Sequence, residues 1–339
     1  MKAPRPIEVV GGGLSGLSLG LGLRRAGVPV TLFESGDYPR HRVCGEFISG
    51  LDDETARATG ILDFTGGALL HRAVTYHLRG RPLRPFRLPE AALGISRHAL
   101  DARLARAFVA EGGRLHTGTR ADLDPAEGRV IAAGRRRGGR FWVGLKVHVR
   151  KLELAGDLEV HLGERCYVGL SRVETGDVNV CGVFGRQRSE ARGAGLLHAY
   201  LEGAGLARLS ERLRGAGARE ESFCTMAVSL GDPAVRDSGA LRIGDACATI
   251  APFTGNGMAM ALQGAALALG PLRAYAAGDM GWEEARLEVA RAEEARFRRR
   301  LSLARRLHPF FLGPFRQALL AAAARSGILP FRAFYSATR

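Results

Sequence analysis

Residues 7–18, Ile7-Glu8-Val9-Val10-Gly11-Gly12-Gly13-Leu14-Ser15-Gly16-Leu17-Ser18, constrain what this chain can fold into more than any other stretch. A short run of β-formers passes into three glycines and then into the apolar spacing of a helix. That is the order of a buried strand, a tight turn and a helix laid back on the strand. Gly11 suits the turn, Gly13 lets backbone approach a diphosphate, and Gly16 lets the helix pack closely. The helix opens at Leu14 and Ser15, so its free N–H groups point at the phosphates. It continues to Ala26, and Gly27 closes it. A second strand, Val28 to Phe33, ends at Glu34 and Ser35, with Glu34 following Gly11 by 23 residues. An acid about 20 residues after the first glycine takes the adenosine ribose hydroxyls and repels a 2′-phosphate. The nucleotide expected is therefore FAD or NAD.

Composition bounds the rest. The chain has 339 residues, 46% of them hydrophobic, enough for one large domain or two interleaved ones. Its net charge of +15 comes from 49 basic against 34 acidic residues, and the only lysines are Lys2, Lys146 and Lys151. A basic surface suits an anionic membrane or an acidic carrier protein as a peripheral partner. No zinc finger, helix-turn-helix or aromatic RNA-binding pattern occurs, so no nucleic acid partner is expected. The five cysteines form no CxxC pair, which argues against a disulfide framework and a metal site and fits a cytoplasmic location. The apolar run near the N-terminus is broken by the glycine turn, unlike a signal peptide, and no stretch reaches the ~18 apolar residues of a membrane span.

After Glu34 the chain reads Tyr38-Pro39-Arg40-His41-Arg42-Val43-Cys44-Gly45-Glu46-Phe47-Ile48-Ser49. This segment resembles the one that follows the ribose-binding acid in FAD-dependent oxidoreductases of the geranylgeranyl reductase-like and aromatic hydroxylase-like (group A flavin monooxygenase) superfamily. The resemblance implies that Arg42 reaches the cofactor and that Cys44 and Gly45 lie beside the flavin, Cys44 being the candidate catalytic residue. Ile95-Ser96-Arg97-His98-Ala99-Leu100-Asp101 resembles the same family's serine–arginine helix and implies that Arg97 approaches the cofactor, with Ser96 as the helix cap.

Arg114 to Thr117 reads as a third parallel strand, and a β-ribbon is expected from there to Ala132. Where relatives carry a Gly-Ala-Asp-Gly segment, this chain has Ala132-Ala133-Gly134-Arg135-Arg136-Arg137-Gly138-Gly139-Arg140. The acid is missing, which weighs on NADPH or NADH as the electron donor; the arginine run reads as a solvated hairpin. Phe141 to Val183 alternates repeatedly and predicts an antiparallel sheet walling a substrate pocket, with His148, His161 and Tyr167 as candidate pocket groups. A second fingerprint follows: Arg242-Ile243-Gly244-Asp245-Ala246, then Pro252-Phe253-Thr254-Gly255-Asn256-Gly257-Met258. It resembles the family's glycine–aspartate motif and implies a strand ending at Asp245, which binds the ribityl chain. The same resemblance has the 252–257 turn and the helix from Met258 face the pyrimidine edge of the flavin. Phe297, Leu301, Ala304 and Leu307 fall on one face of an arginine-rich helix, Pro314 starts another, and no acid occurs after Glu294.

The expected architecture is α/β: a Rossmann-type FAD-binding domain of three-layer ββα form, interleaved with an antiparallel-sheet substrate domain and followed by C-terminal helices. FAD-binding parts fall at 1–72, 94–140 and 236–275, substrate-domain parts at 73–93 and 141–235, and the helical region at 276–339. The resemblance implies an FAD-dependent oxidoreductase. The expectation is a monooxygenase that hydroxylates a lipophilic or polyketide-like secondary metabolite, the alternatives being a carbon–carbon double-bond reductase and a non-catalytic flavin-binding protein.

Overall fold

The computed structural model describes residues 3–135, 141–229 and 239–339; Arg136, Arg137 and Arg140 of the arginine run lie outside the described residues. In chain order the strands are β1 (Ile7–Val10), β2 (Val30–Phe33), β3 (Phe47–Ile48), β4 (Leu69–Leu78), β5 (Arg81–Pro82), β6 (Phe86–Gly94) and β7 (Arg114–His116). After them come β8 (Arg129–Ile131), β9 (Trp142–Val149), β10 (Leu158–Gly163), β11 (Cys166–Arg172), β12 (Val178–Gly185), β13 (Ala218–Val228) and β14 (Leu241–Arg242). The α-helices are α1 (Leu14–Arg25), α2 (Asp53–Thr59), α3 (Arg97–Ala110), α4 (Ala194–Gly203) and α5 (Ala207–Arg214). The remaining five are α6 (Gly257–Ala277), α7 (Trp282–Leu307), α8 (Pro309–Leu312), α9 (Pro314–Arg325) and α10 (Phe331–Ala337).

The first sheet is parallel throughout, in the order β14-β8-β1-β2-β7. Its central strand β1 buries Ile7, Val9 and Val10 between covering structure on both faces, and its one charged residue, Glu8, pairs with Arg129 of β8. Helix α1 packs against both α3 and α6, and its glycines make the close approach: a Cβ at Gly22 would lie 2.7 Å from Leu269 of α6, and one at Gly20 3.1 Å from Phe108 of α3. The strand expected at Arg114–Thr117 is present as β7. The ribbon expected beyond it is not: between β7 and β8 no strand forms, and β8 joins β1 in parallel. Ala121-Asp122-Leu123-Asp124-Pro125-Ala126-Glu127-Gly128 lacks β-branched residues and alternation, and Pro125 donates no hydrogen bond. The strand expected to end at Asp245 stops at Arg242, because Gly244, at φ +60°, opens a 3-10 turn.

The second sheet runs β13-β9-β12-β11-β10-β4-β6-β3, with β5 paired to β4. It is antiparallel except for β10 and β4, which are parallel with His161 opposite His77. The expectation of an antiparallel sheet fails there because the chain leaves the sheet after β6 for α3 and the nucleotide domain, re-enters it at β9, and lays β10 on the edge of β4 that β6 does not occupy. Alternation gives it two faces. One, with Leu145, Val147, Val180 and Phe184, packs under α4 and α5. The other faces the 41–49 segment and the C-terminal helices. Strand β3, inside the first expected nucleotide segment, pairs with β6 and so ties that segment to this sheet. Among the described residues no helix is long and apolar enough to cross a membrane.

Candidate active site

The glycine turn has the shape its sequence predicts. Gly11 sits at φ +113°, and a Cβ on it would fall 2.4 Å from the Ala132 carbonyl oxygen, so only glycine closes this turn. At Gly16 a Cβ would fall 2.0 Å from the Gly11 carbonyl oxygen. Helix α1 has no side-chain cap and no acid in its first turn, and Ser15 Oγ, buried there, has no hydrogen-bond partner. An uncapped helix end with an orphaned hydroxyl is what a diphosphate would satisfy. Leu14 turns into the core.

Glu34 ends β2, buried at 4% exposure, and its carboxylate is already shared. Oε2 accepts from the Gly12 amide at 2.9 Å and from Arg42 at 3.1 Å, while Oε1 accepts from Arg40, Ser35 and Gly36. Burial raises its pKa, and Arg42 and Arg40 outweigh that and hold it below the ordinary glutamate value. Arg40, whose place in a polar loop suggests a solvated charge, is part of this node. Arg42 also pairs with buried Asp101 at 3.0 Å, and Asp101 holds Arg97 at 2.7 Å. Arg97 in turn comes near Gly13. An ion-pair ladder therefore runs from the ribose acid to the diphosphate turn. It places Arg42 at the ribose end and Arg97 at the phosphates.

The second fingerprint lands on the first. A Cβ on Gly244 would lie 2.9 Å from Ser15 Cβ, so the two turns touch. Asp245 pairs with Arg135 at 2.9 Å, which removes Arg135 from the solvated hairpin its sequence suggested. Pro252 begins a 3-10 turn closed by Gly255 at φ +65°, where a Cβ would run into the Phe47 ring. Gly257 opens α6, and a Cβ on it would meet nothing within 4 Å. Asn256 turns its side chain to the Ser49 carbonyl and to Arg300 Nη1, so it braces the turn from behind. Met258 is core. Glu293 of α7 faces the Gly244 amide and the Cys247 thiol, and burial pushes its pKa up to about 7.

Beside Cys44 and Gly45 lies a buried charge cluster, of which the sequence pointed to His148 alone. The Glu46 carboxylate, fully buried, accepts from His148 Nε2 at 2.5 Å and from the Arg97 amide at 3.1 Å, and meets Lys146 Nζ at 3.3 Å. Lys146, also fully buried, reaches His41 Nδ1 at 2.9 Å. Burial would raise the Glu46 pKa, but His148 and Lys146 hold it down. The signal was legible: one of three lysines in the chain stands in an apolar strand, Trp142-Val143-Gly144-Leu145-Lys146-Val147. Cys44 itself is a protonated thiol, since burial raises its pKa against the pull of Arg97. Its main-chain oxygen is held by Asn179, and that of Gly45 by Ser171.

Gly45 also lines a cavity of about 110 Å³ between the second sheet and the C-terminal helices. Val74, Phe86, Leu158, Val160, Phe253 and Phe331 supply much of its apolar wall. Tyr167 packs edge-on to Phe253 and Phe311 at that wall, and His148 belongs to the Glu46 cluster. His161 is not a pocket group. It lies on the opposite sheet face, stacked on His77 at 4.2 Å and bonded to Glu159, which Arg212 of α5 grips.

A model of the NAD(P)-binding Rossmann-like domain matches residues 9–45. No curated protein matches the sequence. Among solved structures, PqsL of Pseudomonas aeruginosa, in complex with 2-aminobenzoylacetate, superposes with a TM-score of 0.71 at 16% identity, covering 92% of this chain and 97% of PqsL. The flavin-dependent brominase Bmp2 gives 0.70 at 16% identity over 94% and 89% of the two chains. A geranylgeranyl bacteriochlorophyll reductase-like protein of Thermoplasma acidophilum gives 0.71 at 15% identity over 94% and 91%. Over more than nine-tenths of its length, then, the chain has the fold that these three proteins share, a Rossmann nucleotide domain interleaved with a large second sheet.

Proposed function

We propose that this chain is an FAD-dependent oxidoreductase, and specifically a flavin monooxygenase acting on a small lipophilic molecule. The observation that carries the reading is the meeting of two separate glycine turns at Ser15 and Gly244, with an uncapped helix N-terminus on one side and an apolar cavity beginning at Gly45 on the other. The residues fit the group. Gly11, Gly13 and α1 would take the diphosphate, Glu34 the ribose, and Asp245 the ribityl chain once Arg135 yields. The 255–257 turn, open at Gly257, would face the ring. Bound FAD would supply the redox chemistry.

The chain's own residues bind, orient and exclude water. Phe253 and Phe311, backed by Tyr167, give the cavity an apolar wall, and excluding water there would strengthen every polar contact within it. The Glu46 cluster fixes the Cys44–Gly45 bend through which the cavity meets the nucleotide domain. PqsL is described as a probable FAD-dependent monooxygenase, Bmp2 as a flavin-dependent brominase and the third as reductase-like, which supports the coarser reading and leaves the reaction to experiment. A second reading, reduction of a carbon–carbon double bond, is favoured by one feature: a protonated thiol, Cys44, adjoins the cavity-lining Gly45. Incubating reduced protein with a panel of apolar substrates under ¹⁸O₂ separates the two. Monooxygenation puts one labelled oxygen into product; unlabelled product two hydrogens heavier is the mark of the reductase.

A further inference from the structure

Behind the two glycine turns stands a buried acid that the binding scheme above does not use. The buried stripe of α7 runs Ala285, Val289, Glu293, Phe297, Leu301 and Ala304, so helical spacing puts one carboxyl among apolar side chains. Glu293 is 3% exposed, and neither of its carboxyl oxygens has a hydrogen-bond partner. A glycine makes room for it. In the middle of α6, a Cβ on Gly264 would lie 2.8 Å from Glu293 Oε1 and 3.3 Å from the Gly244 amide nitrogen, so a larger residue there would displace the carboxyl from behind the Gly244 turn.

The groups around Glu293 leave a negative charge uncompensated. Those that act on it are the Gly244 amide and the Cys247 thiol, and neither is a cation. The arginines of the neighbouring elements are engaged elsewhere. Arg242 of β14 acts on Cys247, Arg296 pairs with Asp52 at 2.7 Å, and Arg300 bonds Asn256 and Gln263. A carboxylate buried without a cation or a donor is costly, and such a group takes up a proton instead. Burial accordingly pushes its pKa up to about 7, while the Cys247 thiol, also raised by burial, stays protonated.

The other side of the same turn gives that proton a role. A Cβ on Gly244 would come 2.9 Å from Ser15 Cβ, and Ser15 Oγ is the orphaned hydroxyl at the uncapped N-terminus of α1. Gly244 alone therefore separates the Glu293 carboxyl from the place assigned to the diphosphate. An anion bound there disfavours a second negative charge behind the turn.

We propose that Glu293 is a positioning residue for the flavin nucleotide: as the neutral acid it backs the Gly244 turn, and FAD binding takes up one proton from solvent at its carboxyl. This rests on FAD binding at the two turns. Below about pH 7 the free protein already carries the proton, and affinity does not depend on pH. Above it the proton must be supplied, so affinity falls as pH rises, approaching tenfold per pH unit.

The test is calorimetric titration of the full-length, flavin-free chain with FAD at pH 6.5 and 8, each in two buffers of different ionisation enthalpy. Binding should be roughly eightfold weaker at pH 8 than at pH 6.5, with uptake at pH 8 of about one proton per FAD. Glu293→Gln, neutral at every pH and of the same shape, should keep the pH 6.5 affinity at pH 8 and take up no proton there. A native chain whose affinity is the same at both pH values, the absence of proton uptake at pH 8, or a pH dependence that survives in Glu293→Gln would each overturn the proposal. Proton uptake is read on the native chain, so the test stands even where the glutamine variant fails to fold. FAD bound without pH dependence would remove this inference alone, whereas no binding of FAD at either pH would remove the proposed function with it.

Discussion

Replacing Lys146 with methionine isolates the buried cluster beside Gly45. Lys146 and Glu46 are both fully buried and 3.3 Å apart, and methionine keeps the length of the side chain while deleting its charge. Glu46 then retains only His148 and the Arg97 amide as partners. Breaking a buried ion pair by removing one member costs about 3–5 kcal/mol, because the other charge stays desolvated and uncompensated. With an unfolding entropy of ~2.1 cal/mol/K per residue, that loss lowers the melting temperature of a chain this size by roughly 4–7 °C. The pH dependence follows from the direction of the shifts. In the native protein Glu46 is held below its unfolded value, so its contribution is present above about pH 4.3 and lost as pH falls through the lower folded value. In Lys146→Met the carboxyl rises instead, so the deficit should be small near pH 5 and grow toward pH 8. Adding Glu46→Gln to Lys146→Met should recover part of the loss. The assay is differential scanning calorimetry of the four proteins of the cycle at pH 5, 6.5 and 8. A Lys146→Met protein within about 1 kcal/mol of wild type at pH 8, or a deficit that does not grow with pH, would refute the reasoning.

Three further outcomes are expected. Asp245→Ala should lower flavin occupancy several-fold and free Arg135, measured as bound flavin per chain after reconstitution; undiminished occupancy would contradict its assignment to the ribityl chain. Gly257→Val, whose new side chain would project into open space, should leave the melting temperature of flavin-free protein unchanged yet block ring binding or make the midpoint potential of residual bound flavin more negative. Unchanged occupancy and potential would place the ring elsewhere. Helix α9 exposes Phe315 and the connection after it Ile328, each at 75%, beside Arg316 and Arg325, so binding to anionic liposomes should be stronger than to neutral ones and fall with salt; equal binding to both would leave this region a packing role.

Much of the nucleotide half was legible because its chemistry is local. Gly11, Gly16 and Glu34 act through a single turn and its two strands, so order and spacing along the chain suffice to find them. Gly244 was found in the same way, and the structure adds that it touches Ser15. What the sequence hid depends on pairing between distant segments. Glu46 meets Lys146 and His148 only because the 41–49 stretch crosses the second sheet, and Asp101, whose i,i+4 spacing from Arg97 is visible in the sequence, reaches Arg42 only through the fold. His161 was misplaced for the same reason: alternation says that it lies on one face of a strand, but which face meets the cavity is set by α5 on the other side. At Gly257 the glycine leaves space, whereas the left-handed backbone belongs to Gly255, a distinction that residue type cannot make.

If the two turns together hold FAD, the purified protein must be a flavoprotein. The most direct measurement is the visible absorption spectrum of the purified protein, with chromatography of the nucleotide released on denaturation, before and after reconstitution with FAD. Flavin bands near 370 and 450 nm and about one FAD per chain are expected, with no NADP bound in its place. Protein that remains colourless after reconstitution, or that releases a nicotinamide nucleotide alone, would contradict it.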